Sequence, residues 1–194
     1  MLIYAAIEDA IIARIQAASE ANALGYRLAQ VGSYGGEFDD ETFFTQFRKF
    51  PAVWVTVGGS KPKLLSARKV QLHPVIAVMV GTRNVRGERQ TRHGSVTEPG
   101  SYQILEDVRS LLLGQALDLA IAPLRMGADR TLYNTRQGGE ARSVLAAEFH
   151  TDTTYTIAEP GISDTDLTGI GLRYYLKPGD DVDEDAADSV TLAA

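Results

Sequence analysis

The alternation in KVQLHPVIAVMVG, residues 69–81, constrains the fold of this chain more than any other stretch. One face of an extended chain would carry Val70, Leu72, Pro74, Ile76, Val78 and Val80. Period-two patterning with β-branched residues is typical of a strand in a packed sheet. The opposite face begins polar, with Gln71 and His73, and ends apolar, with Met79 and Gly81. We therefore predict a long strand that becomes more deeply covered as it approaches residue 81.

Alternating residues elsewhere predict partners for this strand. Residues 53–57 alternate valines with Trp54 and Thr56, and the Gly58–Gly59–Ser60 sequence that follows is typical of a turn. Two strands this close in sequence, with no helix between them, pair most easily as antiparallel neighbours. Residues 143–157 predict a further long strand with one packed and one polar face. Shorter strands are expected at residues 26–31, 130–133 and 170–176.

Helical periodicity is clearest at the N-terminus and after Gly100. Ile3, Ile7, Ile11 and Ile15 recur every four residues, which predicts a helix with one apolar stripe. The segment from Ser101 to Leu112 shows a second such stripe, and residues 40–47 are expected to form a short helix that Pro51 ends. The predicted fold class is therefore α/β of the α+β kind, with helices packed on a mostly antiparallel sheet.

The charge distribution divides the chain into a body and a tail. The chain has 194 residues, enough for one domain with a full core. Six of its 25 acidic residues lie in residues 178–194, which hold no Lys or Arg, and the remaining 19 acids equal the 19 basic residues. A block of like charge with Gly and Ala resists folding. We predict a single domain over residues 1–177 and a disordered acidic tail over residues 178–194.

Residues 82–98 carry a run of arginines without apolar periodicity. The four that we single out are Arg83, Arg86, Arg89 and Arg92. Loops longer than about 12 residues without regular structure are usually functional or disordered. One interpretation is a solvated loop. The other is an arm that contacts a partner subunit or a polyanion, because the planar arginine fork binds carboxylate and phosphate alike.

No catalytic motif is present in the sequence. The chain has no Cys, and Gly58–Gly59–Ser60–Lys61 lacks the spacing of a phosphate-binding loop. His73, His93 and His150 are far apart in sequence, and a His150–Asp152 pair has no identifiable nucleophile beside it. We therefore expect no catalytic, cofactor-binding or metal-binding residues, no cofactor and no enzymatic activity. Apolar runs fall short of the roughly 20 residues that cross a bilayer, and a signal peptide is not expected.

The run GSYQILEDVRSLLLGQALDLAIAPLRMGADRTLYN, residues 100–134, resembles the Mu-type family of bacteriophage tail proteins. That family has a helix of the pattern Y-x-L-L-E-D-V-R-x-L-L-L-G, followed by a PL segment and a short strand. The matching residues are Tyr102, Leu105, Glu106, Asp107, Val108, Arg109, Leu111, Leu112, Leu113, Gly114, Pro123 and Leu124. The N-terminal helix and the strand at residues 143–157 also agree, so the resemblance covers most of residues 1–160.

This resemblance implies a tail terminator, or tail-completion protein, of a contractile tail. Such proteins share a small α/β fold with helices against an antiparallel sheet. The expected partners are copies of this chain in a ring, a hexamer by analogy with tail symmetry, together with tail tube, sheath and head–tail connector or neck proteins. The arginine segment would touch a ring neighbour or DNA in the lumen. The expected location is the virion tail or neck, assembled in the bacterial host cytoplasm, without a membrane. The alternatives are a neck or head–tail adaptor and a small enzyme with an unrecognised site.

Overall fold

The computed structural model describes residues 3–36, 49–84, 87–95, 98–137, 140–157, 169–174 and 186–191. Two compact units can be distinguished, Met1–Thr156 and Ile157–Ala194. The first unit contains α1 (Ile3–Glu20), β1 (Gln30–Ser33), β2 (Ala52–Ser66), β3 (Lys69–Asn84), α2 (Glu88–His93), α3 (Ser101–Leu112), β4 (Arg125–Gln137), β5 (Glu140–His150) and β6 (Thr153–Thr156). The second unit contains β7 (Gly169–Tyr174) paired antiparallel with β8 (Ala186–Thr191).

A six-stranded sheet forms the centre of the first unit. Its strand order is β1-β2-β3-β5-β4, and β6 pairs with β3 beyond the end of β5. The β1–β2 pair is parallel and all other pairs in this sheet are antiparallel. The predicted α+β class, with helices on a mostly antiparallel sheet, is thereby confirmed. The predicted antiparallel pairing of the second and third strands is also confirmed.

The main core lies between one face of this sheet and helices α1 and α3. The isoleucine stripe of α1, Ile7, Ile11 and Ile15, is fully buried, as the four-residue spacing predicts. From α3, Ile104, Leu105, Val108 and Leu112 join the same core. The sheet contributes the even-numbered face of β3 and the odd-numbered face of β5, including Ile76 and Phe149. Burial along β3 increases toward Asn84, which confirms the predicted gradient of cover.

The opposite face of the sheet carries a smaller core of its own. Ala52, Trp54, Met79, Val144 and Ala146 are buried there, and Tyr34, Phe50 and Tyr133 pack against them. One face of the strand at residues 143–157 was expected to be polar, and this is wrong at the end of β5 that carries Val144 and Ala146. The physical reason is that Trp54 and its aromatic neighbours cover this part of the sheet.

Three strands differ in length from the sequence-based expectation. The expected turn at residues 58–60 is wrong, because β2 continues through it to Ser66 with a register shift between Val57 and Gly59. Strand β4 begins at Arg125 rather than near residue 130. The strand expected over residues 143–157 is interrupted at Thr151 and Asp152, which separate β5 from β6. The helix expected at residues 40–47 lies outside the described residues.

The expected division of the chain differs from the observed one. A single domain was expected to end at residue 177, whereas the compact units divide between Thr156 and Ile157. The tail expected to be disordered from residue 178 contains β8, whose described residues pair with β7. The β7–β8 pair exposes Leu172, Tyr174 and Val190. Strand pairing therefore occurs in a segment that was expected to be disordered because of its acidic composition.

Candidate subunit-contact surface

The β2–β3 hairpin extends beyond the rest of the sheet. Strand β1 pairs only with residues Ala52–Val55 of β2, and β5 pairs with β3 only from Val75 onward. Past these points, the two strands continue to Ser66 and Lys69, with β6 as the further partner of β3. Because the cover by neighbouring strands and helices ends before the hairpin does, its tip, defined here as residues 61–69, is exposed throughout.

The hairpin tip combines two exposed leucines with four basic residues. Leu64 and Leu65 are 71% and 51% exposed, the former value being the highest among the large hydrophobic residues found exposed in the described ranges. The basic residues are Lys61, Lys63, Arg68 and Lys69, and the tip contains no acidic residue. Exposed leucines at the end of a rigid hairpin are typical of contact surfaces, because burying apolar surface against a partner removes it from water and lowers the free energy.

Cross-strand pairing separates the lysines from the apolar residues. Lys61 and Lys63 pair with His73 and Gln71, on the sheet face opposite the helices. Pro62 and Leu64 pair with Leu72 and Val70 on the helix-facing side. On that side the chain after α3 provides cover as far as Thr153, whose hydroxyl donates to the Ala120 carbonyl at 3.0 Å. Beyond Thr153, Leu64 remains exposed, and so does Tyr155, which pairs with Val70 from the other side of β3.

A groove of about 330 Å³ lies between α3 and β4 on the helix-facing side. Its lining consists of Tyr102, Leu105, Glu106, Arg109, Asp129, Arg130, Thr131 and Leu145. Leu105 and Leu145 are buried and form an apolar floor, whereas Tyr102 is half-exposed at the rim. The groove is therefore an apolar pocket with charged walls, a combination that suits an apolar side chain flanked by charges.

Ion pairs fix the walls of this groove. The Arg109 guanidinium bonds Glu106 at 2.8 Å, one turn earlier on α3, and also bonds Asp129 on β4. These carboxylates raise the pKa of Arg109, the bond to Asp129 having the larger effect. Arg130 contacts Glu148 of β5 at 3.1 Å, but its strand position pairs with Ala146, so this ion pair lies on the opposite face of the sheet. Arg109 thus connects α3 to the edge strand β4 and sets the width of the groove.

Hydrogen bonds from α1 and the segment after it hold α3 in place. The Tyr26 hydroxyl donates to Asp107 at 2.8 Å, and the Arg14 guanidinium donates to the Leu111 carbonyl at 2.6 Å. Burial and the bond to Asp107 both raise the pKa of Tyr26 well above its usual range. Because α3 is fixed on one side by these bonds and on the other by Arg109, the groove is a rigid feature of the fold.

A polar cluster lies on the opposite face of the sheet, near the base of the hairpin tip. His73 Nδ1 lies 2.5 Å from Asp152, and Arg125 approaches the other carboxylate oxygen at 2.9 Å. These bonds, led by that of His73, hold the pKa of Asp152 below its ordinary value. From the sequence, His150 was the candidate partner of Asp152, but the structure pairs Asp152 with His73 and Arg125. His73 is thus a partly exposed, hydrogen-bonded residue on the polar face expected for β3.

The cluster offers no nucleophile, and its histidine is engaged by a carboxylate. In the ranges that the structure describes, no three His, Asp or Glu side chains are grouped so that they could hold a metal ion. The helices in those ranges are also too short or too polar to cross a membrane. What the cluster does is link β3, β4 and the β5–β6 junction at the point where the hairpin leaves the sheet.

The predicted arginine arm is largely a folded part of the body. Arg83 is a half-buried residue of β3, and Arg92 is a half-buried residue of α2. Arg89, also on α2, is exposed, and Arg86 lies outside the described residues. The segment packs through polar contacts, because the Thr82 hydroxyl donates to the Thr91 carbonyl at 2.8 Å in a buried position. The expectation of a loop without regular structure over residues 82–98 is wrong for β3 and α2.

Sequence reasoning missed the hairpin tip and the groove. The tip was hidden because the Gly58–Gly59–Ser60 sequence suggested an early turn. A usable signal was the Leu64–Leu65 pair, flanked by lysines between two predicted strands, where a solvent-exposed turn would not normally place leucine. The groove depends on contacts between α3 and β4 across 20 residues of sequence, such as Arg109 with Asp129, and nothing local encodes it.

Comparison with known proteins gives one family. The family model described as Bacteriophage Mu, Gp37 matches residues 3–154, which span all the strands and helices of the first unit except the last two residues of β6. No curated protein matches the chain significantly. The match covers well over half of the chain and includes the α3 segment that carries the sequence resemblance. The chain therefore belongs to the bacteriophage Mu Gp37 family, which indicates a structural, tail-related phage protein.

Proposed function

We propose that this protein is a tail terminator, which closes as a homo-oligomeric ring on the end of the tail tube and sheath and joins the tail to the head connector. The ring is a hexamer, matching the symmetry of the tail. The protein works in the virion tail or neck, after assembly in the cytoplasm of the bacterial host. It performs no catalytic step and needs no cofactor.

The observation that carries this proposal is the uncovered hairpin tip on a small, rigid body. A tail tube is an open polymer whose end exposes an unsatisfied interface. A capping subunit must present surfaces to that end and to its ring neighbours, and it needs contact geometry rather than chemistry. The exposed Leu64 and Leu65, held on paired strands and flanked by lysines, are a surface of this kind.

The arginine segment has a narrower role in this proposal than the sequence suggested. Of the three arginines that the structure describes there, only Arg89 is exposed. We assign it to contact with a ring neighbour or with DNA in the lumen. The Arg89→Ser variant should keep its stability within about 0.5 kcal/mol, as exposed substitutions do. If Arg89 contacts DNA in the lumen, rings of the Arg89→Ser variant should remain intact but bind DNA more weakly than natural rings, in a salt-dependent manner.

Electron microscopy of lysates from phage lacking this protein tests the proposal. Loss of a terminator should produce tubes and sheaths of uncontrolled length that are not joined to heads. Tails of normal length lying free beside filled heads would instead identify a neck adaptor. In a purified system, adding the protein during tube polymerisation should stop growth at about one ring per tube end, and continued growth would refute the assignment.

A further inference from the structure

The hairpin tip and the α3–β4 groove have complementary properties, although they lie on the same unit. The tip offers Leu64 and Leu65 as an apolar projection. The groove offers the apolar floor of Leu105 and Leu145. We propose that the hairpin tip of one copy inserts into the α3–β4 groove of a second copy, and that this head-to-tail contact builds the ring. This inference rests on the ring of the proposed function and names its subunit contact.

The register of the sheet excludes docking of the tip into the groove of its own chain. Val80 pairs with Leu145, which pairs with Thr131, so the groove floor lies at the level of Val80 on β3. Leu64 pairs with Val70, ten residues earlier on β3. Ten strand residues span about 33 Å. Because paired strands are stiff, the tip remains that far from its own groove, and only another copy can supply the occupant.

The groove has room for the projecting leucines. Its volume of about 330 Å³ would hold about ten water molecules at liquid density, or two branched aliphatic side chains. Leu64 and Leu65 are the side chains that enter it, and burying them removes apolar surface from water on both partners. Burial of each leucine contributes favourable transfer free energy, from which the cost of ordering the two partners is subtracted.

The charges at the two surfaces also match. Lys61, Lys63, Arg68 and Lys69 surround the leucines, without an acidic residue between them. At the groove, Glu106 and Asp129 share the single guanidinium group of Arg109, whereas Arg130 is neutralised by Glu148 on the opposite face of the sheet. The walls therefore retain an excess of negative charge. A lysine of the incoming tip gains a carboxylate partner at the groove. The positive charge of the tip therefore matches the groove and increases the association rate at low salt.

Other open parts of the sheet are poorer contact surfaces. Strand β4 lies at one edge, but it has register shifts between Met126 and Asp129 and between Thr131 and Tyr133. The outer side of β2 carries its own register shift and Pro62. Bulges, charges and prolines protect sheet edges against pairing with other chains. A contact through side chains at the tip and groove avoids both protected edges, and it is head-to-tail because the two surfaces differ.

Cysteine cross-linking of the full chain tests the contact directly, because the natural sequence contains no cysteine. The Leu65→Cys and Thr131→Cys variants are purified separately, mixed and oxidised. We expect a disulfide-linked dimer from the mixture and none from either variant alone. Absence of the mixed product, or efficient dimerisation of Leu65→Cys alone, would overturn the proposal. A chain carrying both cysteines should give a ladder that ends at the ring size.

A second experiment measures the energetic role of the tip. The Leu64→Ser/Leu65→Ser double variant should raise the dissociation constant between copies at least tenfold in sedimentation analysis, with an unchanged melting temperature at low concentration. The matched control is Leu132→Ser, which changes another exposed leucine away from the tip. Rings that persist in the double variant while tube capping is lost would overturn this contact and leave the terminator function intact. Rings that depend on the tip but fail to stop tube growth would instead support this contact and overturn the terminator function.

Discussion

Replacing Gly100 with Ala tests whether the arginine segment is a folded part of the body. Gly100 is the residue immediately before α3, with an extended backbone at φ −86° and ψ 162°, so alanine causes no backbone strain of its own. The difficulty is space. A Cβ atom at this position would lie 2.5 Å from the His93 carbonyl carbon and still closer to Arg92 O and Gly94 N. All three are backbone atoms at the end of α2 or just after it, and a side-chain rotation cannot relieve the overlap.

The magnitude follows from what must move. Restoring ordinary contact requires a displacement of about 1 Å between the start of α3 and the turn after α2, and overpacking of this kind costs about 1–3 kcal/mol. The shift also strains the backbone bond from Ser95 N to Glu98 O and the buried Thr82–Thr91 bond, each worth about 1 kcal/mol. We expect a total loss of about 3 kcal/mol, which lowers the melting temperature by about 6–12 °C in a chain of this size.

Urea and thermal unfolding followed by circular dichroism measure this loss. The matched control is Gly32→Ala in β1, where a Cβ atom would meet nothing within 4 Å. That variant should be neutral or slightly stabilised, because alanine restricts the unfolded chain. A Gly100→Ala protein within about 0.5 kcal/mol of the natural one would refute the reasoning, since it would mean that the segment carrying Arg89 and Arg92 is not held against α3.

Three further predictions concern single bonds and the second unit. The Asp152→Asn variant should lose less stability than the natural protein between about pH 4 and pH 2. Because the pKa of Asp152 is lowered in the folded state, its stabilising contribution, under about 1 kcal/mol at this partly exposed site, is present above the ordinary carboxyl pKa and disappears as the pH falls below it. Parallel acid titrations of the two proteins would contradict this. The Tyr26→Phe variant should be about 1.5 kcal/mol less stable than the natural protein at neutral pH, because it loses the hydrogen bond to Asp107. The pKa of Tyr26 is raised in the folded state, so this contribution is present below the ordinary tyrosine pKa and the difference should shrink only above about pH 10. An equal loss of stability in Tyr102→Phe would show that the effect is nonspecific. A chain ending at Thr156 should unfold cooperatively, with a melting temperature within a few degrees of that of the full chain, because the core residues lie between Ile7 and Phe149. A non-cooperative unfolding curve would refute the prediction that the first unit is stable by itself.

The elements that the sequence predicted well are those with strong apolar periodicity. The isoleucines of α1, the alternating face of β3 and the stripe of α3 each bury one continuous side against the same core. Their spacing therefore reports the tertiary structure directly. The gradient of polarity along β3 also predicted where the sheet would lose its cover.

The features that sequence reasoning missed depend on contacts between distant residues. Gly58 and Gly59 favour a turn locally, but pairing with β3 carries β2 through them, because tertiary pairing overrides local preference. Helix α2 had no apolar period to detect, since its buried anchor is a threonine, Thr91. The arginines attracted attention through charge alone, whereas the exposed leucines at the hairpin tip acquire meaning only once their strand is known to continue beyond the sheet.

The register shift at Gly58 determines the direction in which the hairpin points. It absorbs one extra residue between Val57 and Gly59, and bulges of this kind bend a strand and increase its twist. Deleting Gly58 would leave every later side chain on its present face, because the pairing on either side of the shift is regular. Only the angle of the projection would change. In the ring that we propose, the angle between successive subunits would fix their number, so this single inserted glycine would help to set the copy number through the direction of the hairpin tip.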